Sequence, residues 1–212
     1  MAGATCENRT HDLRITRNND LNSGVTNFPQ KSFLDLPDNL PEPIDDGAAN
    51  HLLGMKIPNV SLKSTNGSIV NLSELKGKTI IFCYPMTGVP GVALPEGWDE
   101  IPGARGCTPQ VCSYRDKFSV LETLSTNVFG VSTQNSEYQK ELHNRLELPY
   151  EILSDSELKF QVSINLPVFN IENKVLLKRI TLLVEEGIIS KVHYPVFPSN
   201  KDVDWAIKEL SR

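Results

Sequence analysis

The chain has 212 residues, 39% hydrophobic and 22% charged, which suits a globular protein of one domain plus an additional segment. A net charge of −5, without any long run of Lys or Arg, argues against the clustered basic face of a nucleic-acid groove and against a membrane-surface patch. No stretch approaches the roughly 18 apolar residues of a membrane span, the N-terminus lacks the apolar core of a secretory signal, and four cysteines are too few for a disulfide-stapled scaffold.

Residues 1–50 are expected to be disordered or extended. The first 31 or so are rich in Asn, Thr, Arg and Asp without an apolar period. Arg9, Arg14 and Arg17 are spaced as in an organelle-targeting peptide, but Glu7, Asp12 and Asp20 interrupt them. The expected compartment is therefore a reducing one, the cytoplasm, with targeting by this tail as the alternative. Residues 35–50 carry three prolines and several acids and read as an extended lead-in wrapping the domain.

The domain proper is expected over residues 51–212. "IPNVSLKSTNGSIVNLSEL" reads as a hairpin turning at Asn66-Gly67, with Ser73 capping a brief helical turn. "KTIIFCYP" is a continuous apolar strand stopped by Pro85, and residues 86–103, with four glycines and three prolines, form a long loop. From Cys107 a helical period runs through Val111, Tyr114, Phe118, Leu121 and Leu124. "NVFGVST" is a strand; "NSEYQKELHNRLEL" is a helix capped by Asn135 or Ser136; "YEILSD" is a strand and "SELKFQVSI" a short helix. Residues 178–196 give two strands about Glu186-Gly187. A closing helix over 200–212 buries Val203, Ala206, Ile207 and Leu210, with Asn200 as its cap. Strands alternating with helices, then a late antiparallel pair, predict an α/β fold of three layers, α/β/α, around a mixed central sheet.

The chemistry centres on "PGARGCTPQVCSYRD", where Cys107 and Cys112 stand five positions apart. A zinc site fails on ligand count, because Cys6 and Cys83 fall in the tail and a buried strand, and His11, His51, His143 and His193 show no paired spacing. Two inert core cysteines are the default without further context. Cys107, however, opens a helix, where unpaired N–H groups and the helix dipole favour thiolate over thiol; Arg105 stands two residues away. With five residues of intact helix between them, the two Cα atoms lie roughly 8.7 Å apart. A disulfide needs about 6.8 Å or less. The pair can therefore join only if the first turn unwinds, which suits a cycle in which one cysteine acts and the other later resolves.

"IIFCYP", "GCTPQVCSYRD", "VFGVSTQ", "LPYEILSD" and "KRITLLVEEGIISKVHYPV", in this order, resemble a peroxiredoxin of the atypical two-cysteine Q type (bacterioferritin comigratory protein-like, AhpC/TSA superfamily). Its signature GCT-x-x-x-C-x-x-RD is met from Gly106 to Asp116. The resemblance implies a thioredoxin-like fold and reduction of hydrogen peroxide and organic hydroperoxides. Cys107 would be the peroxidatic cysteine, Cys112 the resolving one in an intrachain disulfide, and Arg179 the residue supporting thiolate and peroxide. It further implies a thioredoxin or glutaredoxin-like reductant, a monomer or weak homodimer, and no metal, flavin or nucleotide cofactor, nucleic acid or membrane. The sequence departs from the pattern P-x-x-x-T-x-x-C, because Ala104 stands where the family has threonine. Pro85 and Thr87 are expected to keep the missing pair's places, with "GVPGVALPEGWDEI" looping out between them and the cysteine; Thr108 is a rival hydroxyl. Two further readings keep the same fold: a redox sensor, or a thiol–disulfide oxidoreductase, against which the absent C-x-x-C counts.

Overall fold

A computed structural model of the chain describes residue 36 and residues 39–212. The expected disordered or targeting tail lies outside the described residues. Among the described residues, nine strands and five α-helices follow in chain order: β1 (Ser61–Ser64), β2 (Ile69–Asn71), β3 (Lys78–Cys83), α1 (Cys107–Asp116), α2 (Phe118–Thr123), β4 (Thr126–Ser132), α3 (Ser136–Arg145), β5 (Glu151–Ser154), α4 (Lys159–Ile164), β6 (Val168–Ile171), β7 (Lys174–Leu177), β8 (Ile180–Glu185), β9 (Ile188–His193) and α5 (Asp202–Leu210). Seven strands form one mixed sheet in the order β2-β1-β5-β4-β3-β8-β9. The central β3, β4 and β5 are parallel, and β1, β8 and β9 join antiparallel.

Side chains alternate across a strand, so β3 feeds two cores. Ile80 and Phe82 pack with α1, α2, α3 and α5. Ile81 and Cys83 pack on the other face with Phe160 and Ile164 of α4, with Ala49 of the lead-in and with Leu52 and Ile57 just after it. The crossovers β3-α1-α2-β4 and β4-α3-β5 advance in the same direction through the sheet. Right-handed connections therefore place their helices on one face. The expected three-layer α/β fold is the one observed, and its centre is aromatic: Phe82 stacks on Tyr114 at 4.2 Å and meets Tyr150 edge-on at 5.7 Å.

Four local expectations change. The period from Cys107 to Leu124 breaks at Lys117 (φ −110°, ψ 11°), giving two helices instead of one. Asn71, not Ser73, caps the brief 3-10 turn over Leu72–Glu74, accepting from Ser73 N–H. Asn135 does cap α3, but no side chain caps α5, which a 3-10 turn at Ser199–Lys201 precedes. The hairpin β6-β7 was not expected, since its turn, Glu172-Asn173, carries no glycine or proline.

The lead-in is tied to the domain by its acids: Lys178 Nζ and Tyr194 OH donate to Asp46 at 2.6 and 2.8 Å. These two donors hold the Asp46 carboxyl well below the usual carboxylate range, at about 2. Gly130, opposite Phe82 in β4, leaves the room that the aromatic cluster fills, because a Cβ there would stand 2.9 Å from Phe82 Cζ. With Tyr114 and Tyr150 against it, the Phe82 ring has no place to retreat. Gly130→Ala is therefore expected to cost about 1–3 kcal/mol by overpacking, read as a lower urea midpoint at unchanged slope.

Candidate active site

β3 ends at Cys83, and the chain leaves the sheet through Tyr84 and Pro85, both buried. The loop that follows does not simply loop out. Trp98, in a 3-10 turn at Trp98–Glu100, is buried against Phe169 of β6 and clusters with Ala104 and Leu176. The insertion thus uses the β6-β7 hairpin as its anchor, and the chain returns to the sheet edge at a fixed place.

The return ends at Gly106, whose φ of 102° lies in the left-handed region. A Cβ at this position would stand 2.2 Å from Ser199 Oγ and 2.9 Å from Leu36 Cδ2. Cys107 then opens α1, and the first intrahelical bond runs from Gln110 N–H to Gly106 O at 3.0 Å. No side chain caps this start. The N–H groups of the first turn accordingly lack the intrahelical partners that later turns have, and Pro109 has none to satisfy.

Arg179 lies immediately before β8, whose first residue, Ile180, pairs with Cys83. Although it stands at a strand end, Arg179 is only 4% exposed. Its Nη2 donates to Cys107 Sγ at 3.3 Å and shares the carbonyls of Gly103, Ala104 and Arg105 at 3.2, 3.3 and 3.2 Å. Its Nη1 donates to Gln110 Oε1. The thiol itself sits 3.5 Å from Ala104 O. A buried guanidinium needs acceptors on all sides, and here they are one sulfur, three carbonyls and an amide oxygen. The arrangement sets a positively charged donor directly against the sulfur.

The other expected site residues fall around this centre unequally. Cys112 is on the second turn of the same helix and is buried; Cys83, Cys107 and Cys112 are all thiols. Burial pushes the Cys83 thiol far up, as suits a core residue. Arg105 does not turn to the thiol: its Nη1 pairs with Asp99 at 3.0 Å. Thr87 is buried, but its Oγ1 and N–H donate to Gln134 Oε1 at 3.2 and 3.0 Å, and its carbonyl accepts from Tyr138 OH at 2.8 Å. Thr108 is buried in the first turn of α1. Sequence reasoning missed Gln110, which sits between the two cysteines, and Asp202, which binds Gln110 from α5 at 2.7 Å. Their only signal was a glutamine inside the cysteine motif and an acid at a helix start.

Beside Arg179 a largely apolar pocket of about 290 Å³ opens between the lead-in (Pro43, Ile44), the returning loop (Ile101, Pro102) and Tyr194–Val196. No helix among the described residues is long and apolar enough to cross a membrane.

The site is thus a buried thiol at a helix start, beside a buried arginine, on an α/β sheet with an antiparallel edge. The Redoxin family matches residues 52–207, and the chain belongs to that family. Within it, the expected peroxiredoxin Q type agrees with the relatives. The chain is 28% identical over 158 residues to the chloroplastic peroxiredoxin Q of Suaeda salsa, covering 74% of this chain and 66% of that one. It is 28% identical over 145 residues to a putative peroxiredoxin bcp of Coxiella burnetii, covering 66% and 86%. The chain spans just under two thirds of the Suaeda protein's length. The crystal structure of peroxidoxin BcpB from Mycobacterium tuberculosis superposes with a TM-score of 0.62 at 20% identity, covering 75% and 96% of the two chains, a likeness of fold.

Because Gly106 meets both a positive φ and two close neighbours, Gly106→Ala is expected to lose at least about 1–3 kcal/mol from backbone strain alone. A fall in melting temperature with loosened protection of the first α1 amides in hydrogen exchange checks it.

Proposed function

We propose that the chain is a thiol peroxidase that reduces hydrogen peroxide and organic hydroperoxides through Cys107. The observation that carries the reading is the 3.3 Å contact of Arg179 Nη2 with Cys107 Sγ at an uncapped helix start. The thiolate sulfur attacks the distal peroxide oxygen. A sulfur–oxygen bond forms as the O–O bond breaks. The departing oxygen takes a proton and leaves as water or alcohol, and the sulfur becomes a sulfenic acid. Arg179 and the first-turn N–H groups face the oxygens where charge develops. The start of α1 then unwinds, and the Cys112 thiol displaces the sulfenic oxygen as water to give an intrachain disulfide. A dithiol protein, thioredoxin or glutaredoxin-like, restores both thiols by exchange and is itself oxidised.

Pro85 and Thr87 are assigned the places of the family's proline and threonine. The burial of both supports this, and so does the clamp of Gln134 and Tyr138 that fixes Thr87. The sensor reading draws on one observation: Ala104 supplies no hydroxyl, and that of Thr87 donates to Gln134. The compartment is read as a reducing one, the cytoplasm, with a tail-borne organelle address as the alternative; the Suaeda relative is named chloroplastic. The chain is read as a monomer or weak homodimer.

Peroxide consumption with a thioredoxin system tests these readings together. Cys107→Ser is expected to abolish it. Cys112→Ser is expected to keep the first turnover and lose continued cycling. Thr87→Val should slow the first turnover, and an unchanged rate would remove Thr87 from the mechanism. Stoichiometric oxidation of the wild-type chain, without cycling, would favour the sensor.

A further inference from the structure

Asp202 is the first residue of α5 and has no exposed surface. An acid at this position ordinarily serves its own helix start. Here it is turned across the fold instead. Gln110 Nε2, Tyr114 OH and Thr181 Oγ1 donate to Asp202 Oδ2 at 2.7, 3.0 and 2.6 Å, and His193 Nδ1 lies 2.9 Å from Oδ1. A buried carboxylate is costly unless it is fully hydrogen-bonded, and these four groups, from α1, β8 and β9, meet that need.

The partner that matters is Gln110. Its orientation follows from charge, since the amide nitrogen must face the Asp202 carboxylate and the oxygen the Arg179 guanidinium. One amide thereby joins the carboxylate in α5 to the arginine that touches Cys107. Gln110 also lies between the two cysteines on the very turn that must open before they can join. Its neighbour Val111 is held as well, its carbonyl accepting from Tyr150 OH at 2.7 Å.

We propose that Asp202 is a positioning residue: through Gln110 it aims Arg179 at Cys107 and latches the α1 turn between Cys107 and Cys112, speeding attack on peroxide and slowing disulfide formation. The latching half rests on the resolving role given above to Cys112. The two effects are opposite in sign. Breaking the tie frees Arg179 to turn away from the sulfur and frees the helix to unwind. A side chain that only stabilised the fold would, when lost, move the two steps together or not at all.

The test measures the two steps separately, by rapid quench and intact mass. Oxidation of Cys107 is timed in a Cys112→Ser background, and conversion of sulfenic acid to disulfide is timed with Cys112 present. Asp202→Asn is expected to slow the first step about tenfold, the value of one lost charge-assisted hydrogen bond, and to speed the second several-fold. Should that variant fail to fold, Gln110→Met cuts the same tie from the helix side and is read by the same two rates. Rates that fall together, or that stay unchanged, overturn the proposal. If the wild-type chain forms sulfenic acid but no 107–112 link, the resolving role of Cys112 fails. The oxidation rate then decides the positioning half: a slowed first step supports it and an unslowed one ends it.

Discussion

The contact between Arg179 and Cys107 is the constraint around which the rest of the structure is arranged. A guanidinium buried beside a thiol has to be surrounded by acceptors, and no single element supplies them. The arginine comes from the edge of β8, the thiol from the start of α1, the carbonyls from residues 103–105, and the amide oxygen from the first turn of the helix. Each therefore has to be delivered to one point. The β3-β8 register delivers the arginine. Gly106 delivers the helix start, since its left-handed φ and lack of a Cβ let the chain turn under Ser199.

The long insertion belongs to the same arrangement. A free loop of its length would leave the carbonyls that Arg179 shares without a fixed position. Trp98 removes that freedom by burying itself against Phe169 on the β6-β7 hairpin, so the returning chain is held where the arginine can gather it. The hairpin forms a two-stranded sheet of its own and also buries Leu177 in the core beneath the main sheet. The first turn of α1 meanwhile answers two opposed demands. On the proposed mechanism, peroxide attack needs it helical, so that Cys107 stays beside Arg179, while a Cys107–Cys112 bond needs it open, because an intact helix keeps their Cα atoms roughly 8.7 Å apart.

Much of this was legible in the sequence, for physical reasons. The β3 strand declared itself because it is buried on both faces and so reads as one apolar run. Asn135 declared α3 because a cap is a local chemical signal. Family and fold class followed from the ordered motifs, which the match over residues 52–207 and the superposition on BcpB bear out. What the sequence hid depends on contacts distant in the chain. Arg105 looked like the nearer cation, yet Asp99 takes it, while Arg179, 72 positions from the thiol, makes the contact. Asp202 stands at a helix start, where an acid ordinarily serves its own helix, and is instead a buried acceptor for three other elements. The hairpin β6-β7 was missed because a Glu-Asn turn has no local signature, and the split at Lys117 because helical periodicity continues across it.

The measurement that bears most directly on this account is intact mass and peptide mapping of the full chain after one equivalent of hydrogen peroxide. The account predicts a product lighter by two hydrogens, with one disulfide between the sulfurs at 107 and 112. Unreacted protein, or oxidation that begins at the deeply buried Cys83 while Cys107 stays reduced, would contradict it.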